Sequence, residues 1–404
     1  GSSLQRGVRS RTCERAGCGL GGGGAFGRRA GLRMGLCAAK SANANNVVDR
    51  DKRRSPSASK APPEPAKPPE TRTTSKSSQA QAKAQGNLLD YFPEAKRKVS
   101  VCGIASDVQQ KGFANKNVEA SGFSPDVLKI GCTCKKGLKP ESPNQDDFCV
   151  FQFDNVGIYG VFDGHGPYGH DISSFVQEAL PRCFVSDADF RQQPQKAMSE
   201  AFSEAQRLCT ESQAEGHFDC MLSGTTATLA MQREGRLYVA NVGDSRAVLA
   251  RAAGADGFRC EDLTVDHRPS CETERNRIQA LGGQVRRLDG DILHRVFVNG
   301  KLYPGLAMTR SIGDTVGTTA GVTSSPEVRE LRVQKDWRFM LLCSDGVWEF
   351  INSEEAVKFI SKYPPTDVQK AAESLATEAW NRWIKEEGNL VDDITVICVW
   401  FNQD

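Results

Sequence analysis

The residues of this 404-residue chain best suited to chemistry are aspartates placed where apolar runs stop. Asp163 ends the run IYGVF at 158–162, and Asp345 follows FMLLC at 339–343 after a single serine. Asp392 and Asp393 immediately precede ITVICVWF, Asp146 and Asp147 precede the run 148–153, and Asp244 follows a run ending at Val242. An Asp beside Gly at a strand end is, taken singly, ordinary turn chemistry. If these ends gather at one rim, the clustered negative charges need cations to neutralise them. Oxygen-only ligands suit Mg²⁺ or Mn²⁺, whereas zinc would want His or Cys. The chain has five histidines, and its fourteen cysteines complete no Cys/His site. Two hard cations side by side can bridge a water, lower its pKa and aim it at phosphorus, which suits phosphate-monoester hydrolysis.

The elements that must carry these residues are legible from about residue 123 onward. Apolar runs at 158–162, 225–231, 237–240, 246–251, 339–343 and 394–401 read as strands. The pair around Arg233, Glu234 and Gly235 reads as a hairpin. Helical periodicity falls at about 169–180, 195–212, 272–281, 353–362 and 366–386. Hairpins with helices set apart favour an α+β layered sandwich over an alternating parallel fold.

Residues 1–120 read as a disordered basic tail rich in Gly, Ser, Pro and Ala, and 121–402 as one domain. The first hundred residues carry about 20 Lys/Arg against about 7 Asp/Glu, so a basic tail precedes an acidic body. That asymmetry fits an anionic membrane surface; no aromatic-interleaved domain supports specific nucleic-acid binding. No apolar run reaches transmembrane length and no signal peptide opens the chain, so the expectation is a soluble intracellular protein.

The stretch Asp163-Gly164-His165-Gly166 resembles the DGHG signature of the metal-dependent type 2C protein phosphatases (the PPM family). Further blocks follow in that family's order: SGTTA at 223–227, NVGDSR at 241–246, DHRP at 266–269, AMTRSIGD at 307–314, SDGVWE at 344–349 and DDITV at 392–396. So many blocks in one order are highly specific. The resemblance covers about 128–401 and implies two stacked antiparallel β-sheets flanked by α-helices. It implies a serine/threonine phosphatase acting on phosphoproteins through a metal-bridging hydroxide, and a monomer. It also implies two Mg²⁺ or Mn²⁺ ions held by Asp163, the Gly164 carbonyl, Asp146, Asp345 and Asp392, with Asp244 at a weaker third site. His165 matches the general acid to the leaving alkoxide; the alternative is a hydrogen-bond donor that steadies a ligand or water.

Two departures bear on activity. Gln145 stands where many relatives have Glu. The position four residues upstream is Glu141 rather than a phosphate-gripping Arg, with Lys135, Lys136 and Lys139 nearby. These departures keep a second reading open, a pseudophosphatase that only binds a partner. Between 284 and 304 the resemblance implies a flap that shapes substrate choice, with Arg286, Arg287 and Arg295 as candidate contacts.

Three short signals mark the tail. Met34-Gly35-Leu36-Cys37 resembles an acylation start, with myristate on Gly35 and palmitate on Cys37, which would anchor a cytoplasmic enzyme to a membrane; the nucleus is an alternative compartment. The segment 85–92 has the spacing of a sliding-clamp peptide, or forms a helical turn that docks on the body or on another partner. Arg97-Lys98-Val99-Ser100 resembles a basophilic-kinase site.

Overall fold

The computed structural model describes residues 88–104, 113–122, 128–139, 142–254 and 257–401. The strands are β1 (Lys98–Gly103), β2 (Val118–Gly122), β3 (Ile130–Lys135), β4 (Asp146–Phe153) and β5 (Val156–His165). Helices α1 (Gly169–Ser186) and α2 (Pro194–Ala214) precede β6 (Gly224–Thr225), β7 (Ala227–Arg233), β8 (Arg236–Val242), β9 (Arg246–Ala253) and β10 (Gly257–Asp262). Then come α3 (Glu272–Ala280), β11 (Gln284–Arg286), β12 (Arg295–Phe297), β13 (Pro304–Leu306), β14 (Ile312–Gly313) and α4 (Thr315–Thr318). The chain closes with β15 (Glu327–Arg332), β16 (Trp337–Cys343), α5 (Asp345–Trp348), α6 (Ser353–Ile360), α7 (Val368–Glu387) and β17 (Ile394–Trp400).

These elements form four layers. One sheet runs β15-β8-β7-β5-β4-β1-β2, with β6 and β14 attached at its β5 side; the other runs β10-β9-β16-β17-β3. Neighbouring strands are antiparallel. Alternation along the strands makes the layers. On β4, Cys149, Phe151 and Phe153 pack toward α1 and α2, while Phe148 and Val150 face the second sheet. On β16 and β17, Leu341, Cys343, Val396 and Cys398 pack under α6 and α7, while Met340, Leu342 and Ile397 fill the space between the sheets. The expected hairpin is present: β7 and β8 join through Glu234 (φ 51°) and Gly235 (φ 70°), both in the left-handed region a tight two-residue turn requires.

The start of the ordered body differs from the sequence expectation of residue 121. A 3₁₀ turn at Leu88–Tyr91 buries Leu88, and Phe92 stacks on Phe153 with ring centroids 4.1 Å apart. β1 is hydrogen-bonded to β4, with Val99 and Val101 in the inter-sheet core. Two small valines in a charged stretch bury enough surface because the strand is completed by an existing sheet. Of the three tail signals, Gly35 and Cys37 lie outside the described residues, as do Gln85, Gly86 and Asn87. Leu88 and Phe92 are spent on the protein's own core, which agrees with the docked turn. Ser100 is a half-buried residue of β1, paired on both sides with Ser121 and Phe151, so a kinase would have to unzip the strand to reach it.

Candidate active site at the rim of the sandwich

The register places the acids. Asp146 and Asp163 are direct partners across β4 and β5, and Cys343 of β16 faces Val396 of β17, which brings Asp345 and Asp392 to the same end. Asp345 begins α5, whose turn is pinned by Trp348 Nε1 on the Cys343 carbonyl (2.8 Å) and Trp383 Nε1 on the Gly346 carbonyl (2.7 Å). Thr226 fixes Asp163: its Oγ1 accepts the Asp163 N–H (3.1 Å), and its own N–H donates to the Asp163 carbonyl (2.9 Å). Gly164 tolerates no side chain, because a Cβ there would lie 2.2 Å from the Gly169 carbonyl oxygen.

The acids strain against each other. Burial, then the charges of Asp345, Asp146, Asp392 and Asp244, hold the Asp163 carboxyl well above its usual range. Burial and the charges of Asp392 and Asp244 do the same to Asp345, with Arg268 and a hydrogen bond from Asp163 opposing. Asp146 is pushed up to about 7, mainly by burial and then Asp393, although Ser344 Oγ (2.6 Å) and Thr395 Oγ1 (2.7 Å) donate to it. Burial also raises Asp244, whose Oδ1 is buried with no hydrogen-bond partner, while Arg268 Nε stands 3.4 Å from its Oδ2. Asp392 is ion-paired with Lys139. Among the described residues no three His, Cys, Asp or Glu side chains stand in finished ligating geometry, and Lys139, Ser344 and Thr395 engage Asp392 and Asp146. The donor set nevertheless fits hard divalent cations: oxygen ligands, buried or half-buried, with more negative charge than the protein itself compensates.

His165 borders this rim and joins Asp314 through Nε2···Oδ2 at 2.6 Å, while Ser311 Oγ donates to the same oxygen (2.5 Å). Burial pushes the imidazolium pKa down, but the Asp314 charge and hydrogen bond more than offset it, and the net shift is upward. The role of Asp314 went unread in the sequence, although it is the last residue of the quoted block at 307–314.

Several expectations meet corrections here. Gln145, which stands where many relatives have Glu, spends its amide on the backbone: its Nε2 donates to the Gly166 carbonyl (2.8 Å) and ties the turn after β5. Asp393 is no rim ligand; its two oxygens accept from the N–H groups of Gly137 (2.7 Å) and Gln145 (2.8 Å) and bolt the preceding loop down. Of the three lysines, Lys135 lies over the Phe113 ring and buried Lys136 donates to the Lys139 carbonyl, leaving Lys139 at the rim; Glu141 lies outside the described residues. The flap exists as the sheet β11-β12-β13. Arg295, however, is buried against Asp291 and the Gly305 carbonyl, and Arg286 covers Phe297, so both build the flap.

A helix–sheet–sheet–helix sandwich with a crowded oxygen-donor rim and a histidine at its edge is the equipment of a metal-dependent phosphate-ester hydrolase. Residues 144–387 match the family model described as Protein phosphatase 2C. Probable protein phosphatase 2C 35 of Arabidopsis thaliana is 32% identical over 323 residues, covering 74% of this chain and 90% of its own. Probable protein phosphatase 2C 48 of Oryza sativa subsp. japonica is 37% identical over 269 residues, covering 61% and 75%. The crystal structure of serine-threonine phosphatase 2C from Toxoplasma gondii shares the fold, with a TM-score of 0.60 at 21% identity over 68% of this chain and 94% of that one. The chain belongs to the protein phosphatase 2C family and is a protein serine/threonine phosphatase, of a family whose enzymes depend on Mg²⁺ or Mn²⁺.

Proposed function

We propose that Asp163, Asp146, Asp345 and Asp392, with the Gly164 carbonyl, hold two Mg²⁺ or Mn²⁺ ions, that Asp244 serves a weaker third, and that His165 protonates the leaving serine or threonine oxygen. The observation that carries this is the crowding at the rim itself, where burial and neighbouring carboxylates, Asp392 among them, hold Asp146, Asp163 and Asp345 above the usual carboxylate range. When bound, such ions would neutralise the rim and ready a water for in-line attack on phosphorus. Asp163 is the central acid because its charge meets all four others. Thr226 holds its backbone, and Gln145 holds the turn that presents the Gly164 carbonyl. Asp314 fixes the His165 ring and favours its protonated form, which a general acid requires. The pseudophosphatase alternative finds no support in the acid set, since all four principal aspartates are present and converge. Acting on phosphoproteins as a monomer, with Gly35 and Cys37 acylated at a membrane, completes the reading of the chain; an intact mass of the native protein that includes residues 1–33 would exclude the acylation.

The test is phosphate release from a phosphoserine peptide by the full chain. Release requires Mn²⁺ or Mg²⁺, stops on chelation, and falls about 10³-fold in Asp163→Asn. An Asp163→Asn enzyme of ordinary activity would remove the metal assignment.

A further inference from the structure

Large apolar side chains left in water are common singly; what matters is where they fall together. Tyr168, Met221 and Leu222 are 43%, 47% and 47% exposed, and they come from two loops held against each other beside His165. β5 and β6 pair His165 with Gly224, so residues 221–223 run directly alongside 165–168. The Tyr168 N–H donates to Ser223 Oγ (3.1 Å), and a Cβ on Gly166 would lie 2.3 Å from the Leu222 carbonyl oxygen. The carbonyls of Cys220, Met221 and Ser223 accept the N–H groups of Thr315, Val316 and Asp314 (3.0, 3.1 and 2.9 Å). The same Asp314 holds His165. The backbone of this shelf is therefore fixed to Asp314 and to the strand that carries His165, while its three large side chains stand partly in solvent.

We propose that Tyr168, Met221 and Leu222 form a subsite for a large apolar side chain next to the phosphorylated serine or threonine of the substrate. The inference rests on the active-site reading above. With the phosphate in the rim and its leaving oxygen toward His165, each flanking residue of an extended peptide lies only ~3.3–3.6 Å further along the chain. The occupant is apolar rather than acidic because of local charge. Segments 165–176 and 212–228, which carry the shelf, contain no Lys or Arg, while Asp171, Glu215 and Asp219 on the same segments are half-exposed or exposed. An acidic neighbour of the phosphoserine would be repelled there, and a leucine or phenylalanine would cover exposed apolar surface.

The experiment measures kcat/KM of the full chain in Mn²⁺ on phosphoserine peptides with Leu, Gln or Asp immediately before, and separately immediately after, the phosphoserine, with p-nitrophenyl phosphate alongside. The expected order at one of the two positions is Leu, then Gln, then Asp, with Leu over Asp by roughly tenfold or more. In Met221→Gln/Leu222→Gln, and independently in Tyr168→Ser, the Leu-over-Gln preference should shrink to within about twofold. A thermal melt establishes that each variant is folded, and the wild-type ratios stand whatever the variants do. Equal rates on Leu and Gln peptides at both positions, or a preference kept by both folded variants, overturn the subsite. If p-nitrophenyl phosphate is hydrolysed without any peptide preference, only the subsite is lost; if nothing is hydrolysed, the active-site reading falls and takes the subsite with it.

Discussion

Asp146 and Asp147 are neighbours on β4, yet they live in opposite electrostatic worlds. Alternation along the strand sends them to opposite faces of the sheet. Asp147 is fully buried and fully answered: Lys116 Nζ lies 2.7 Å away, Ser174 Oγ donates at 2.8 Å, and the Phe148 N–H at 2.8 Å. The Asp146 carboxyl looks into the rim, where the charges of Asp393 and Asp392 push its pKa up, while Lys116 meets only its backbone carbonyl (2.8 Å). The same residue type is thus a finished internal ion pair on one face and half of an unmet demand for positive charge on the other. A buried acid by itself says little about function; the sign and distance of its neighbours decide.

Breaking the finished pair should cost the most stability. Lys116→Met leaves Asp147 buried without its cation and should destabilise by ~3–5 kcal/mol in urea unfolding. Adding Asp147→Leu should recover much of that loss; a double variant as unstable as the single one would refute the pairing. Next comes the strap ahead of the body. Phe92→Ala removes the ring stacked on Phe153 and touching Phe190, and should cost about 3 kcal/mol. An unchanged melting temperature would mean that the 88–92 turn does not hold the core.

The smallest effect concerns a second answered acid. Burial would raise Glu274, but Arg310, Arg277 and Thr309 hold its carboxyl well below the usual range. Its stabilisation is therefore complete above the ordinary carboxylate range and fades as the pH drops toward the lowered folded value. Glu274→Gln should cost ~1.5–3 kcal/mol at pH 7, and the gap between wild type and variant should narrow on acidification below about pH 4.5. A gap that widens instead would contradict that sign.

The strands of the rim were readable because long apolar runs of β-formers end at acids, and the ordered family blocks named their partners in advance. The strap was not readable. Lys98–Gly103 offers Val99 and Val101 to one core and a half-buried Cys102 to the other, and Val118–Gly122 is exposed along its whole length, so neither carries a run that composition can detect. Lys116 was invisible for a related reason: a lysine in a polar stretch does not announce a partner 31 residues later. Asp314 and the inward turn of Gln145 depend on loops meeting in space, and spacing along the chain carries no trace of that. Arg295 and Arg286 were legible as basic residues but not as parts of the flap, since Asp291 and Phe297 had to be placed before Arg295 could be seen as buried and Arg286 as lying over a ring; Arg287 is exposed.

The central claim is that the rim's unanswered charge is answered by divalent cations. Calorimetric titration of the chelator-treated full chain with Mn²⁺ tests it directly, comparing wild type with Asp163→Asn. Two ions should bind the wild type with release of protons from the crowded acids, and the high-affinity heat should vanish in the variant. Equal stoichiometry and affinity in both proteins would contradict the account.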